Sequence, residues 1–322
     1  MMPDEKLGIR ERELRPFIPD KLLPTAERPP REPILGMLGF SGSGKTVFCV
    51  ALLHFINDIR LDPTIKADLE EGSQYIAELK DIILTDRYLT EASGKLKTPP
   101  NKRIPVKARI SIGDKSVWFY VNDISGETFS DLLNMNDDDA VISFLSMAKS
   151  QGKTVGEFAY LPYCKAYALT ISCDIKDYRR SVKSESTNST LLQEWARTQS
   201  DYTTLLQKLL AAKNAFGSKR QRGFLEPLAI VFTKTDQLPP ELSAKDGAEL
   251  LDLMGDLKNY IYGHFDTEKT TCLKTCITFE GGRPKVVNTE KGPRLDLSQA
   301  GFQGFLDWLK RSMDMPKLQR RH

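Results

Sequence analysis

Short apolar runs, each closed by glycine, serine or a charged residue, recur along the chain and are typical of buried strands. Predicted strands lie at 34–38, 104–112, 116–122, 166–173, 225–233, 271–279 and 286–288. The stretch at 104–112 alternates apolar with polar positions and is joined to the next run by Gly113-Asp114-Lys115, which predicts a β-hairpin. The chain is therefore expected to form a sheet that includes one hairpin.

Longer segments with apolar residues three and four positions apart predict helices between these strands. They lie at 47–57, 66–89, 129–148, 191–215, 250–265 and 301–313. Because strands and helices alternate, the sequence predicts an α/β fold with a mostly parallel sheet and helices on both faces. One antiparallel strand is expected, from the hairpin.

The ends of the chain differ from its middle. Residues 1–33 carry seven prolines among many charges, which predicts a flexible or extended arm. One domain is expected over 34–313, and 314–322 is expected to be a frayed tail.

Composition limits the kinds of binding partner that the chain is expected to have and the cellular compartment in which it is expected to work. Lys and Arg number 46 against 43 Asp and Glu, so the net charge of +3 predicts no nucleic-acid partner. The apolar runs are too short to cross a bilayer, and the N-terminus lacks the apolar core of a signal peptide. The five cysteines form no C-x-x-C pair, which suits reduced thiols that serve packing. A soluble cytoplasmic protein is predicted.

The clearest chemical motif is GFSGSGKT at 39–46, between a predicted strand and a predicted helix. It matches G-x-x-x-x-G-K-[ST], in which glycines let backbone N–H groups and a helix N-terminus face a phosphate. The lysine is expected to reach the terminal phosphates, and the threonine hydroxyl to hold Mg²⁺. The nucleotide-binding candidates are Gly39, Ser41, Gly42, Ser43, Gly44, Lys45, Thr46 and Val47. A glycine-rich turn with a solvated lysine is the disfavoured alternative.

A second motif, DISGE at 123–127, stands where the predicted strand at 116–122 ends. Ligands of α/β sheets bind at the carboxyl ends of strands. Asp123 is expected to orient Mg²⁺ through water, and the Gly126 N–H to approach the γ-phosphate. Glu127 would lie beside the path of an attacking water. The alternative is a turn that closes the strand.

A third motif, TKTD at 233–236, also stands at the end of a predicted strand. The Asp236 carboxylate can accept hydrogen bonds from N1–H and the 2-amino group of guanine, a donor pair that adenine lacks. Such a site can discriminate by roughly 10⁴-fold. The Lys234 stem can cover the base plane, and Thr233 completes the candidate set. The alternative is an exposed turn before Pro239-Pro240.

Together the three motifs resemble those of translation-factor-related and Ras-like GTPases. GFSGSGKT looks like their Walker A element, DISGE like their second switch, and TKTD like their [NT]-K-x-D guanine-recognition motif. The layout also resembles prokaryotic GTPases encoded beside effector or conflict-system proteins. The resemblance implies a P-loop GTPase that binds GTP or GDP with Mg²⁺ and signals to a protein effector or activating partner. The long intervals between motifs imply insertions near 60–100 and 130–165.

The chain also departs from this family. Glu127 stands where Ras-like proteins carry glutamine and elongation factors histidine, so slow unassisted hydrolysis is expected. The first-switch threonine is best matched by Thr98, with Thr85 and Thr90 as competitors. The resemblance thus makes Lys45, Glu127 and Thr98 the catalytic candidates and Thr46, Asp123 and Thr98 the metal ligands.

The sequence leaves one element of the site unplaced and two alternative functions open. No S-A-[KL] triplet follows the strand predicted at 271–279, so the last base-contacting loop is not placed. One alternative function is a guanine-nucleotide-binding assembly subunit or adaptor that does not hydrolyse. Another is a P-loop ATPase or nucleotide kinase in which TKTD is a coincidence.

Overall fold

The computed structural model describes most of the predicted core of the chain. The described residues are 33–40, 42–60, 62–69, 105–122, 164–174, 191–216, 222–238, 240–280, 283–290 and 292–314. Several expectations lie outside them: the arm before Pro33, the helix at 129–148, the motif at 123–127, most of both insertions and the tail beyond 314.

Within the described residues, seven strands form one sheet. Their ranges are β1 (Ile34–Leu38), β2 (Ile65–Leu69), β3 (Pro105–Ile112), β4 (Lys115–Asn122), β5 (Ala166–Ser172), β6 (Leu228–Thr233) and β7 (Thr270–Lys274). The strand order is β2-β3-β4-β1-β5-β6-β7. Among the described strands of this sheet, only β3 runs against its neighbours, because it pairs antiparallel with β2 and β4, while β1 pairs in parallel with β4 and β5. β6 is parallel to β5 and β7, so the mostly parallel sheet with one antiparallel strand is confirmed.

Helices cover both faces of this sheet, as predicted. Their ranges are α1 (Lys45–His54), α2 (Leu191–Phe216), α3 (Pro240–Ser243), α4 (Gly247–Asp252), α5 (Gly255–His264) and α6 (Gln299–Asp314). A π-helical segment, Phe55–Arg60, continues α1. Residues of α1 and α6 share one apolar cluster, and residues of α2 to α5 share the other.

The sequences of the central strands are continuous apolar runs because both faces of these strands are buried. In β5, Tyr167 and Leu169 lie in the cluster with α2, while Ala166 and Ala168 lie in the cluster with α1. Successive side chains of a strand point to opposite faces, which produces this division. By the same alternation, Thr170 lies on the α1 side of the sheet.

One predicted helix is wrong at its start. Residues 66–69 of the helix expected at 66–89 belong to strand β2, which pairs antiparallel with β3. Ile65 and Ala67 are buried while Lys66 and Asp68 are exposed, which is the period of two that a strand requires. The helical interpretation depended on apolar residues further along, outside the described residues.

Two other elements have different limits from those predicted. The helix expected at 250–265 is interrupted after α4 and begins again at Gly255, and its first part starts earlier because Asp246 and Glu249 form a capping box. The strand expected at 271–279 ends at Lys274. Beyond it the chain turns, with Thr275 N–H donating to Phe232 O over 2.7 Å and Ile277 bridging to Leu297.

Two small antiparallel pairs lie between β7 and α6. They are β8 (Phe279–Glu280) with β9 (Arg283–Pro284), and β10 (Val286–Thr289) with β11 (Gly292–Leu295). The buried His54 side chain of α1 connects the second pair to the main sheet and helices, because its Nε2 accepts the Leu295 N–H over 3.1 Å. Among the described helices, none is long and apolar enough to cross a membrane.

Candidate functional site

The centre of the sheet is a topological switch point. β1 lies between β4 and β5, so the chain builds one half of the sheet with β2 to β4 and the other half with β5 to β7. Open α/β sheets bind ligands outside the carboxyl ends of their strands at such a point. The loop at 39–44 leaves β1 there and leads directly into α1. The segment at 234–238 leaves β6 at the same edge of the sheet, two strands away.

The loop after β1 depends on glycines. Gly39, Gly42 and Gly44 take φ values of 145°, 74° and 80°, a region that favours glycine. A Cβ on Gly39 would collide with the Thr170 hydroxyl and lie 2.8 Å from the Thr170 carbonyl oxygen. Gly44 is the N-cap of α1 and supplies no side chain to cap the helix. The first-turn N–H groups of α1 therefore face the loop, which is an arrangement suited to an anion.

Lys45 is held inside the loop. Its side chain is buried, with 3% of the residue exposed, and Nζ donates to Gly39 O over 2.7 Å and to Phe40 O over 2.8 Å. A buried ammonium requires polar partners, and these carbonyls provide them. The alternative of a solvated lysine on a glycine-rich turn is therefore wrong. An ammonium and a helix N-terminus together make this loop electropositive.

The threonine of TKTD contacts the loop after β1 directly. Thr233 Oγ1 donates to Ser43 O over 2.8 Å, although the two residues are 190 positions apart. A Cβ on Gly44 would lie 3.0 Å from the same hydroxyl oxygen, so the loop approaches the end of β6 closely. The structure thus brings two of the three sequence motifs into contact.

The rest of TKTD forms a tight turn. Lys234 takes φ 54°, a left-handed conformation that is unusual for lysine, and a short 3₁₀ helix, Thr235–Gln237, follows. Such strain is typical of functional turns. Asp236 is exposed, and its Oδ2 accepts a hydrogen bond of 2.6 Å from Gln237 Nε2.

Three residues that the sequence did not suggest also contact the TKTD turn or the loop after β1. Asp174 follows β5, and its Oδ2 lies 3.9 Å from Lys234 Nζ. Thr275 follows β7, and its carbonyl oxygen lies 3.5 Å from Thr235 Oγ1. Thr170 contacts Ser43 through its hydroxyl over 2.8 Å. A polar residue inside or just after a buried run was the available signal for Thr170 and Asp174; Thr275 was taken for the middle of a strand.

The thiol beside this region is a packing group. Cys173 follows β5, and burial raises its pKa to about 12. Burial likewise raises the pKa of Cys272 in β7 to about 12. Both therefore stay protonated and weakly nucleophilic at neutral pH, which agrees with the packing role predicted for the cysteines.

Part of the predicted site lies outside the described residues: Ser41, Thr98, Asp123, Gly126 and Glu127. Of the predicted metal ligands, the structure describes Thr46, which lies in the first turn of α1 with 8% of its surface exposed. Val47 follows it and is partly buried.

Comparison with known proteins gives no family assignment. No protein-family model matches the chain, and no curated protein matches it. One similar solved structure is described as the signal recognition particle receptor SRb-GTP/SRX complex from Chaetomium thermophilum. It is 13% identical in sequence, with 78% of this chain and 94% of that chain covered and a TM-score of 0.32.

A likeness of that size carries no argument about function. The fold is defined instead by the strand order, the central β1 and the glycine-rich loop that enters α1, an arrangement typical of a P-loop α/β fold.

Proposed function

We propose that this chain is a guanine-nucleotide-binding switch that hydrolyses GTP. The hydrogen bond between Thr233 and Ser43 is the observation that carries the proposal, because it joins a phosphate-type loop to the candidate base-recognition turn at one edge of the sheet. The register of β6 places the TKTD turn at this edge of the sheet, where a base-recognition turn has to lie. A nucleotide lying along this edge can then reach both motifs.

The phosphates would bind at 39–46. The Lys45 ammonium and the N–H groups at the start of α1 would face them, in the electropositive loop described above. Mg²⁺ would be held by the Thr46 hydroxyl with Asp123 and Thr98, oxygen donors of the kind that Mg²⁺ prefers, and would neutralise phosphate charge. Gly39, Ser41, Gly42, Gly44 and Val47 would complete the contact surface.

The base would bind at the turn after β6. The exposed Asp236 carboxylate can accept two hydrogen bonds from guanine, and the Lys234 stem would cover one face of the base. The strained turn at Lys234 aims the following short helix, and hence Asp236, in a defined direction.

Hydrolysis would use residues of the second motif. A water oriented by Glu127 would attack the γ-phosphorus and pass a proton to a γ-phosphate oxygen, the bond to the β–γ bridging oxygen would break, and GDP and inorganic phosphate would leave. The Gly126 N–H would contact the γ-phosphate, so that GTP orders the switch loops and presents them to a protein partner. We propose that this reaction is slow without the partner and takes place in the cytoplasm. Nothing observed singles out the conflict-system GTPases within this class.

The test is equilibrium binding of a fluorescent GDP, with unlabelled GTP and ATP as competitors, followed by phosphate release from GTP with Mg²⁺. We expect GTP to displace the probe at a concentration at least about 100-fold lower than ATP does. Equal competition by ATP would assign the chain to the P-loop ATPases or kinases. Tight GTP binding without any phosphate release, alone or with cell extract, would favour the non-hydrolysing assembly subunit.

A further inference from the structure

The hydroxyl of Thr170 lies at the bottom of the loop after β1 and has a defined hydrogen-bond direction. Thr170 is fully buried in β5, and its Oγ1 donates to Leu38 O over 3.0 Å. A hydroxyl has one proton, and a carbonyl can only accept. The contact of 2.8 Å between Ser43 Oγ and Thr170 Oγ1 must therefore have Ser43 as its donor. The chain of hydrogen bonds therefore runs from the Ser43 hydroxyl through the Thr170 hydroxyl to the Leu38 carbonyl at the end of β1.

Ser43 is consequently held at two points. Its side chain donates to Thr170 on β5, and its carbonyl oxygen accepts from Thr233 on β6. With Leu38 on β1, three adjacent strands fix one residue of the loop. Ser43 is itself 2% exposed, so moving the loop would leave buried polar groups unpaired, which is costly.

The close approach of Gly39 shows that Thr170 also fills the space under the loop. A Cβ on Gly39 would collide with Thr170 Oγ1 and would lie 2.6 Å from Ser43 Oγ. The backbone of the loop therefore rests on the Thr170–Ser43 pair. From the opposite side, Tyr202 OH donates to the Thr170 carbonyl over 2.9 Å, so the backbone that carries the Thr170 hydroxyl is itself held in position.

We infer that Thr170 is a positioning residue of the phosphate-binding loop: its hydroxyl fixes Ser43 and thereby sets the affinity of the loop for the nucleotide phosphates. This inference rests on the proposed function. Thr170 touches no nucleotide in this role and acts only through Ser43. Preorganised N–H groups bind an anion more tightly, because the ordering cost is met when the protein folds.

Two substitutions at Thr170 separate the hydroxyl from the side-chain volume. Thr170→Val keeps the shape and removes the hydroxyl, and we expect the Kd for GDP to rise about five- to tenfold, the effect of one lost hydrogen bond. Thr170→Ser keeps the hydroxyl and removes a methyl group. It should bind GDP within about twofold of wild type while unfolding at lower denaturant concentration, because a buried methyl is lost.

Ser43→Ala removes the other end of the same bond and stays informative even if Thr170→Val folds poorly. It should weaken GDP binding as much as Thr170→Val does, and the double variant should be no weaker than either single variant, because the two residues act as a unit. The matched control is Thr204→Val, which removes a threonine hydroxyl bonded to Ser200 O on α2, away from the loop. It should bind GDP like wild type.

Circular dichroism and chemical denaturation accompany each binding titration. The inference is overturned if Thr170→Val binds GDP like wild type, or if affinity falls in step with stability across all variants. A wild-type protein that binds no guanine nucleotide overturns the proposed function, and this inference with it. Wild-type binding with an unaffected Thr170→Val overturns the inference alone.

Discussion

The phosphate side and the base side of the proposed site differ in how they are built. Ser43 and Lys45 of the phosphate loop are 2% and 3% exposed, and their polar groups bond to the loop or to neighbouring strands. On the base side, Asp236 is exposed, and the side chains of Lys234 and Asp174 are 29% and 24% exposed, with 3.9 Å between their charged atoms.

This difference predicts that the phosphate side sets the affinity for every nucleotide and that the base side sets the discrimination between bases. The phosphate loop is fixed by the fold, so changes there should reduce binding of every nucleotide and some should also reduce stability. The base side consists of partly solvated groups on a short turn, so changes there should alter the choice of base and leave folding intact. Each variant below tests this division.

Lys45→Met should have the largest effect on binding. It removes the ammonium and keeps most of the apolar stem, and we expect a loss of about 10³-fold in affinity for GDP and ATP alike, because charge-assisted hydrogen bonds are worth about 1.5–3 kcal/mol each. The free energy of unfolding without nucleotide should fall by no more than about 1–2 kcal/mol, because removal of the buried charge offsets the loss of a donor to the Gly39 and Phe40 carbonyls. Probe titration and urea denaturation measure the two quantities. Normal affinity of Lys45→Met for both GDP and ATP would contradict the assignment of affinity to the phosphate side.

Gly39→Ala should have the largest effect on folding. Positive φ and the collision with Thr170 together should cost about 3 kcal/mol of unfolding free energy. Gly292→Ala is the matched control, because Gly292 also has positive φ, at 107°, but a Cβ there meets nothing within 4 Å. It should lose only about 1 kcal/mol from backbone strain. Equal losses in urea denaturation would show that the close packing under the loop is unimportant.

Asp236→Asn should change discrimination and leave stability alone. We expect the preference for GTP over ATP to fall about 100-fold, because the amide replaces one acceptor by a donor. Xanthosine triphosphate, whose 2-oxo group can accept that donor, should gain affinity. The control is Asp252→Asn, an exposed acid 2.8 Å from Lys258 and outside the proposed site. A fall in thermal stability at Asp236 larger than at Asp252 would argue for a structural role of the carboxylate.

Asp174→Asn should have the smallest effect. The carboxylate lies 3.9 Å from Lys234 Nζ in a partly solvated pair, and such pairs contribute little. We expect GDP affinity to fall about two- to threefold at low salt and the difference to vanish above about 0.5 M salt, because exposed charges are screened. Asp266→Asn, which removes a similar pair with Lys269 at 3.0 Å, is the control and should leave affinity unchanged. A salt-independent effect would mean that Asp174 acts by some contact other than charge.

The sequence by itself determined the fold class and the position of the glycine-rich loop between β1 and α1. Buried strands leave continuous apolar runs, so β1, β5 and β6 were located within a few residues, and a glycine-rich turn between strand and helix leaves a local pattern. Both signals come from neighbours along the chain. The strand at 65–69 was missed because five alternating residues are too few to outweigh the longer apolar pattern that follows.

Tertiary structure alone decided which residues support the motifs. Thr170 meets Ser43 across 127 positions and Thr233 meets it across 190, and no local period records such contacts. They follow from strand order and register, which place Ser172 opposite Thr233 and bring three strand ends together. A hydroxyl in an apolar run signals that a partner exists, since a buried polar group must be paired. Which partner it has depends on the packing of the whole sheet.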